Sequence, residues 1–150
     1  MPRWMAVLAA ALMIALLPRA GEMSEAADAT KTAIFAGGCF WCMEAAFDEV
    51  PGVTETVSGY AGGTKPNPTY GDHEGYQEAV RVTYDPTKVS YEKLLDQYWH
   101  NIDPFDAEGQ FCDKGNAYRS VIFTEDQEEA HLAETEKKEM AARFKKAVAT

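Results

Sequence analysis

The segment Gly37-Gly38-Cys39-Phe40-Trp41-Cys42 joins two stretches that call for different backbone geometry. Before it, Thr32 to Phe35 reads as a short buried strand. After it, Met43 to Val50 reads as a helix with Phe47 and Val50 on its apolar face. Cys39 therefore falls at a strand-to-helix junction, where unpaired N–H groups and the positive end of the helix dipole favour an anion. A thiol so placed ionises more readily than a free cysteine, whose pKa is about 8.5. Two glycines let the backbone turn tightly and approach a small ligand. Two aromatics supply apolar walls. The segment reads as a nucleophilic thiol beside a small apolar pocket.

Pro51-Gly52 breaks the first helix, and Val53 to Tyr60 then alternates as a strand. Residues 61–75 are rich in Gly, Pro, Asn and Asp, with Tyr60, Tyr70 and Tyr76 set among them. Such a stretch reads as a functional loop rather than a simple turn. Glu78 to Tyr84 alternates again and stops at Asp85-Pro86. Ser90 opens a helix with Leu94, Leu95, Tyr98 and Trp99 at helical spacing, ended by Asp103-Pro104. A second irregular stretch, Phe105 to Ala117, leads to a strand over Tyr118 to Phe123. Thr124 is expected to cap a final helix carrying Leu132, Met140 and Phe144. This order is too irregular for a doubly wound parallel sheet. It predicts an α+β fold, a ferredoxin-like α/β sandwich with a mostly antiparallel sheet and helices packed on it.

The 150 residues suffice for one domain, not two. Arg3 gives a positive start, Met5 to Leu17 is an unbroken apolar run, and Pro18 ends it. Small-residue sites follow, with Ser24 to Ala26 and Ala27 to Ala29 the better cleavage candidates. Residues 1–29 are expected to be a secretory signal peptide, and residues 30–150 the folded domain of an exported protein, periplasmic or secreted. Membrane attachment is expected only if the leader stays uncleaved. The formal net charge is −10, with no cluster of Lys and Arg to track a phosphate backbone, so nucleic acid is excluded as a partner. Acid is concentrated over Glu125 to Glu139, read as a solvated helix face. Cys39, Cys42 and Cys112 all fall in the folded part. In an oxidising compartment an odd count leaves a thiol unpaired, which points to a redox role.

Cys39 and Cys42 form a C-x-x-C pair. Structural zinc needs a second pair of ligands, and Cys112, His73, His100 and His131 show no metal-like spacing. A thioredoxin-like dithiol and a nucleophile with a resolving partner both fit. A dithiol exchanger needs little beyond its cysteines, yet this chain also places Glu78 after the Tyr70 loop, and frames its second irregular stretch with Asp113 and Tyr118. Together they can donate protons and hydrogen bonds to a substrate oxygen. Singly, each has a plain structural reading: a half-buried tyrosine, or an aspartate shaping a turn.

GCFW followed by Glu44 and Phe47, then PGV, SGYAGG, NPTY, EAV, YDP, SYEKLL, NIDP, GQFCDKG and YRS, resembles the A-type peptide methionine sulfoxide reductase family from about Ile34 to Phe123. The resemblance implies that Cys39 is the nucleophile and that Phe40 and Trp41 wall the pocket for the substrate's methyl group. It implies that Tyr70, Glu78, Asp113 and Tyr118 hold and protonate the sulfoxide oxygen. It also implies thiol-dependent reduction of methionine-S-sulfoxide, free and in proteins, with no metal or organic cofactor. The expected partners are oxidised proteins, free methionine sulfoxide and a thioredoxin-like reductant, and a monomer is expected. One helical turn separates Cys39 from Cys42, so Cys42 is preferred over Cys112 as the resolving thiol. Two departures stand out. No cysteine follows Cys112, and the chain is expected to stop at Thr150 before the family's closing segment, with the C-terminal end of the domain missing.

Overall fold

Alternation in the apolar runs decides which faces are buried, and β1 (Lys31–Ala36) takes the centre of the sheet. A computed structural model describes residues 29–150 of the protein; the expected leader, residues 1–29, lies outside the described residues except for Ala29. β1 pairs antiparallel with β3 (Gln77–Tyr84) on one side and with the short β6 (Val121–Phe123) on the other. β2 (Val53–Ala61) runs antiparallel along the outer edge of β3, giving the order β2-β3-β1-β6. This is the ferredoxin-like arrangement expected from the sequence. α1 (Phe40–Asp48) connects β1 to β2, and α2 (Tyr91–His100) leads from β3 towards β6.

One face of the sheet carries the core. Residues 78, 80, 82 and 84 share a face of β3 because side chains alternate along a strand. Val80, Val82 and Tyr84 are buried there beside Ala33 and Phe35 of β1. Glu78 is the polar end of the same row, at the edge where β1 gives way to the Gly37-Gly38 turn. Phe35 is the hub: its ring stacks on Phe47 of α1 at 5.0 Å, on Tyr98 at 5.3 Å and on Tyr91 at 6.1 Å. Tyr98 also donates from its hydroxyl to the carbonyl of Ala36 at 2.9 Å, pinning α2 to the end of β1. Ser90 caps α2 as expected, accepting from the Lys93 N–H at 3.3 Å.

Four expectations need correction. α1 starts at Phe40, not Met43, and ends at Asp48, so Val50 packs against the core from outside it. Thr124 is not the last helix's cap. Asp126 is, accepting from the Glu129 N–H at 2.9 Å, and α3 runs Gln127–Phe144; an ionised carboxylate also complements the helix dipole better than a hydroxyl. Tyr118 belongs to a 3-10 turn, Asn116–Tyr118, rather than to the strand. The acidic stretch is not all solvated: Glu129 is buried, its carboxylate accepts the Glu125 N–H, and burial pushes its carboxyl up.

Asp85, at the turn after β3, is held down to about 2 by its ion pair with Lys88 and by hydrogen bonds from Thr87. A depressed carboxylate stabilises the fold above its unfolded value of about 4, and that contribution disappears as pH falls through its folded value. Asp85→Asn should flatten the loss of stability between about pH 4 and pH 2, measured by urea unfolding at each pH.

Candidate active site

Cys39 is the N-cap residue of α1, with φ −55° and ψ 116°, and its carbonyl accepts from the N–H groups of Cys42 and Met43 at 3.1 and 3.2 Å. The cysteine side chain makes no capping bond and is half-buried, which leaves the sulfur available at the helix start. The glycines before it are required by contact. Gly38 has φ 89°, and a Cβ there would lie 2.7 Å from the Cβ of Gln110.

That close approach brings in a feature the sequence did not reveal. β4 (Gly109–Gln110) and β5 (Asp113–Lys114) form a tight hairpin inside the second irregular stretch. Gln110 is fully buried and locks the hairpin down: its Oε1 accepts the Asp103 N–H at 2.7 Å, and its Nε2 donates to the carbonyl of Asp103 at 2.9 Å. Phe111 and Cys112 form the tip, with Phe111 at φ 51°, a conformation a bulky residue rarely adopts. The result is a cleft of about 170 Å³ lined by Cys39, Cys42, Cys112, Asp113, Gln110 and Phe111, among others. All three thiols are free. The Cys42 thiol is raised above its ordinary value, chiefly by its hydrogen bond with Cys39, then by burial and by the charges of Cys39 and Asp113.

Behind Cys39 stands a cluster of aromatic rings beside a buried carboxyl. Glu78 is 3% exposed. Its Oε2 accepts the N–H of Phe40 at 3.1 Å, the residue next to the thiol. The Phe40 ring lies 5.3 Å from Trp41, 5.7 Å from Tyr60 and 6.5 Å from Tyr70. Trp41 and Tyr70 stack on each other at 6.0 Å and face solvent, forming the rim. Tyr70 is held there by its loop: Thr69 and Asp72 exchange backbone bonds at 3.0 and 2.9 Å, Lys65 pairs with Asp72, and Tyr76 donates to the Lys65 carbonyl. Tyr118 is half-buried, and its phenol is raised first by the charge of Glu78, then by burial, and then by Asp113, Tyr70 and Cys39. It therefore stands within electrostatic reach of all four.

The residues named from the sequence thus gather at one end of the sheet. Asp113 and both other cysteines line the cleft on the thiol side. Phe40, Trp41 and Tyr70 form the aromatic cluster on the other. Sequence reasoning missed Gln110, which positions the hairpin, and Tyr60, which pairs across the strands with Glu78. Gly109 beside Gln110 was the one available signal for the hairpin, and the pairing that sets Tyr60 opposite Glu78 has no local signature.

Fold and grouping define a class: an α+β sandwich that gathers a thiol, a buried carboxyl and two phenols at one end of its sheet. The sequence model of the family described as Peptide methionine sulfoxide reductase matches residues 31–150, and the chain belongs to that family. The chain is 52% identical over 111 residues to the Peptide methionine sulfoxide reductase MsrA of Limosilactobacillus reuteri, covering 71% of this chain and 63% of that protein. The chain therefore spans less than two thirds of that relative's length. Among solved structures, Methionine sulfoxide reductase A of Corynebacterium diphtheriae superposes with a TM-score of 0.71 at 34% identity, over 81% of this chain and 62% of that one. Mxr1 from Saccharomyces cerevisiae, in a complex with Trx2, superposes with a TM-score of 0.61 at 21% identity, over 81% and 73% of the two chains, a likeness in fold alone.

Proposed function

We propose that the protein reduces methionine-S-sulfoxide, free and in proteins, to methionine at the expense of thiols. The observation that carries this reading is the Glu78 carboxyl, buried and bonded to the N–H of Phe40 directly after Cys39. A disulfide exchanger can run on its cysteines and does not need it. A sulfoxide reductase does. The sulfoxide sulfur is a poor electrophile because oxide is a very bad leaving group, and protonating the oxygen removes that obstacle. Glu78 donates the proton, with Tyr70 and Tyr118 hydrogen-bonding the oxygen. The Cys39 thiolate attacks sulfur and takes the oxygen as a sulfenic acid, releasing the thioether. The Cys42 thiol, which lines the same cleft as Cys39, condenses with the sulfenic acid, forming the Cys39–Cys42 disulfide and one water. An external dithiol then reduces that bond by exchange and is itself oxidised. The complex of yeast Mxr1 with Trx2 supports a thioredoxin-type reductant. The N-terminal run from Met5 to Leu17 supports export, and hence repair of oxidised proteins outside the cytoplasm.

Reduced protein mixed with excess S-sulfoxide and no dithiol tests the reading: about one methionine per chain should form as two thiols vanish. Thiol loss without methionine would leave only a disulfide exchanger.

The cleft holds two thiols beside Cys39, and Cys42 is the resolving one. Cys42→Ser should release one methionine and then stall as a sulfenic acid, whereas Cys112→Ser should keep turning over with thioredoxin. Peptide mass spectrometry of the oxidised wild type reads the bridge directly. A Cys39–Cys112 linkage with Cys42 free reverses the assignment.

Trp41→Ala should raise KM for methionine sulfoxide and weaken the preference for a methyl over an ethyl substituent, because opening the rim removes a wall whose methylene discrimination is worth about 1–3 kcal/mol. Unchanged kinetics on both substrates would place Trp41 outside the pocket.

A further inference from the structure

The hydroxyl of Tyr60 is buried and has no hydrogen-bond partner among the described residues. A buried phenol O–H without an acceptor is costly, and native structures rarely leave one so. Two other side-chain polar atoms share that condition, on Tyr91 and Trp99, but both belong to α2 and its packing under the core. Tyr60 is different because of where β2 places it. It stands directly opposite Glu78 in the β2–β3 register, so the two side chains leave the same face of the sheet. Its ring stacks on His73 at 4.7 Å and packs tilted against Phe40 at 5.7 Å, so two aromatic neighbours hold it. Burial raises the phenol above its usual range, followed by the charge of Glu78 and by Tyr70 and Tyr118. Glu78, opposite it on the neighbouring strand, and Tyr70 and Tyr118, whose charges it feels, are the groups to which the proposed reaction gives the sulfoxide oxygen.

We propose that Tyr60 is a further catalytic residue, whose hydroxyl donates a hydrogen bond to the sulfoxide oxygen while Glu78 protonates it. The reading rests on the proposed sulfoxide reduction. A sulfoxide oxygen is a strong acceptor carrying partial negative charge, and its arrival supplies the partner the hydroxyl lacks. The ring packing against Phe40 and His73 fixes the donor's position, and the groups that cover the hydroxyl in the free protein shift to admit the sulfoxide oxygen. The cost of the unpaired hydroxyl in the free protein becomes a gain in the substrate complex.

Tyr60→Phe keeps the ring and removes only the hydroxyl. With methionine-S-sulfoxide and dithiothreitol, kcat should fall by about 10- to 100-fold, the worth of one hydrogen bond to a charged acceptor. Alkylation of Cys39 by iodoacetamide should stay within about twofold of wild type, and the melting temperature should be unchanged or higher, since a buried unpaired group is gone. Any loss of kcat matched by an equal loss of alkylation rate or by a lower melting temperature overturns the proposal in favour of a structural role. So does a kcat within about twofold of wild type. A second measurement does not depend on the variant's folding: in Cys39→Ser protein labelled with 13Cζ-tyrosine, dimethyl sulfoxide should shift the Tyr60 resonance. A Tyr60 resonance that stays still while those of Tyr70 and Tyr118 move overturns it. A wild type that forms no methionine overturns the sulfoxide reading and this one with it; an active wild type with an equally active Tyr60→Phe overturns this one alone.

Discussion

Glu78→Gln is expected to slow sulfoxide reduction by about 10²–10⁴-fold, the usual worth of a positioned general acid. The amide can still accept the Phe40 N–H through its oxygen, so the turn into α1 keeps its anchor. Alkylation of Cys39 by a small reagent should therefore proceed at nearly the wild-type rate, which separates loss of the acid from loss of the thiol. Glu78 lies at the end of a core row of β3, among buried neighbours. Gln is thus the variant that keeps volume and polarity together. Near-wild-type turnover at neutral pH would remove Glu78 from the acid role.

Phe35→Ala is expected to destabilise the fold by about 3–5 kcal/mol, the range for truncating a fully buried aromatic. Its ring is 0% exposed and stacks on Phe47, Tyr91 and Tyr98, so one truncation opens β1, α1 and α2 at once. The stability of a small domain is about 5–15 kcal/mol, so most of the margin would go. Urea unfolding should show a much lower midpoint with an unchanged slope. A shift below about 1 kcal/mol would mean that the three-element contact is not where the core is held. Because Phe47 lies in α1, the same variant should also loosen the helix that presents Cys39. Activity should fall faster with temperature than in wild type.

The frame was readable where the periodicity is strong. Alternation around Phe35 and Val80, and the helical spacing of Leu94, Leu95, Tyr98 and Trp99, carry large apolar contrasts that local context cannot mask. The start of α1 was hidden because Phe40 and Trp41 look like pocket residues, and they are also its first turn. The β4–β5 hairpin escaped because strands of this length show no alternation, and its register depends on Gln110 reaching Asp103. Asp126 displaced Thr124 as a cap through geometry that both residues could have supplied. For the site, Cys39, Glu78, Tyr70, Asp113 and Tyr118 were visible as a set because their motifs surround irregular stretches. Tyr60 was not. Its place depends on the pairing of β2 with β3, which no local pattern encodes.

The central claim is that this end of the sheet turns a sulfoxide into a thioether. The direct measurement is product analysis of purified protein given a dithiol and each diastereomer of methionine sulfoxide separately. Methionine should appear from the S-sulfoxide and not from the R-sulfoxide, and Cys39→Ser should abolish it. Dithiol oxidation with no methionine from either diastereomer, or equal yields from both, would contradict the account.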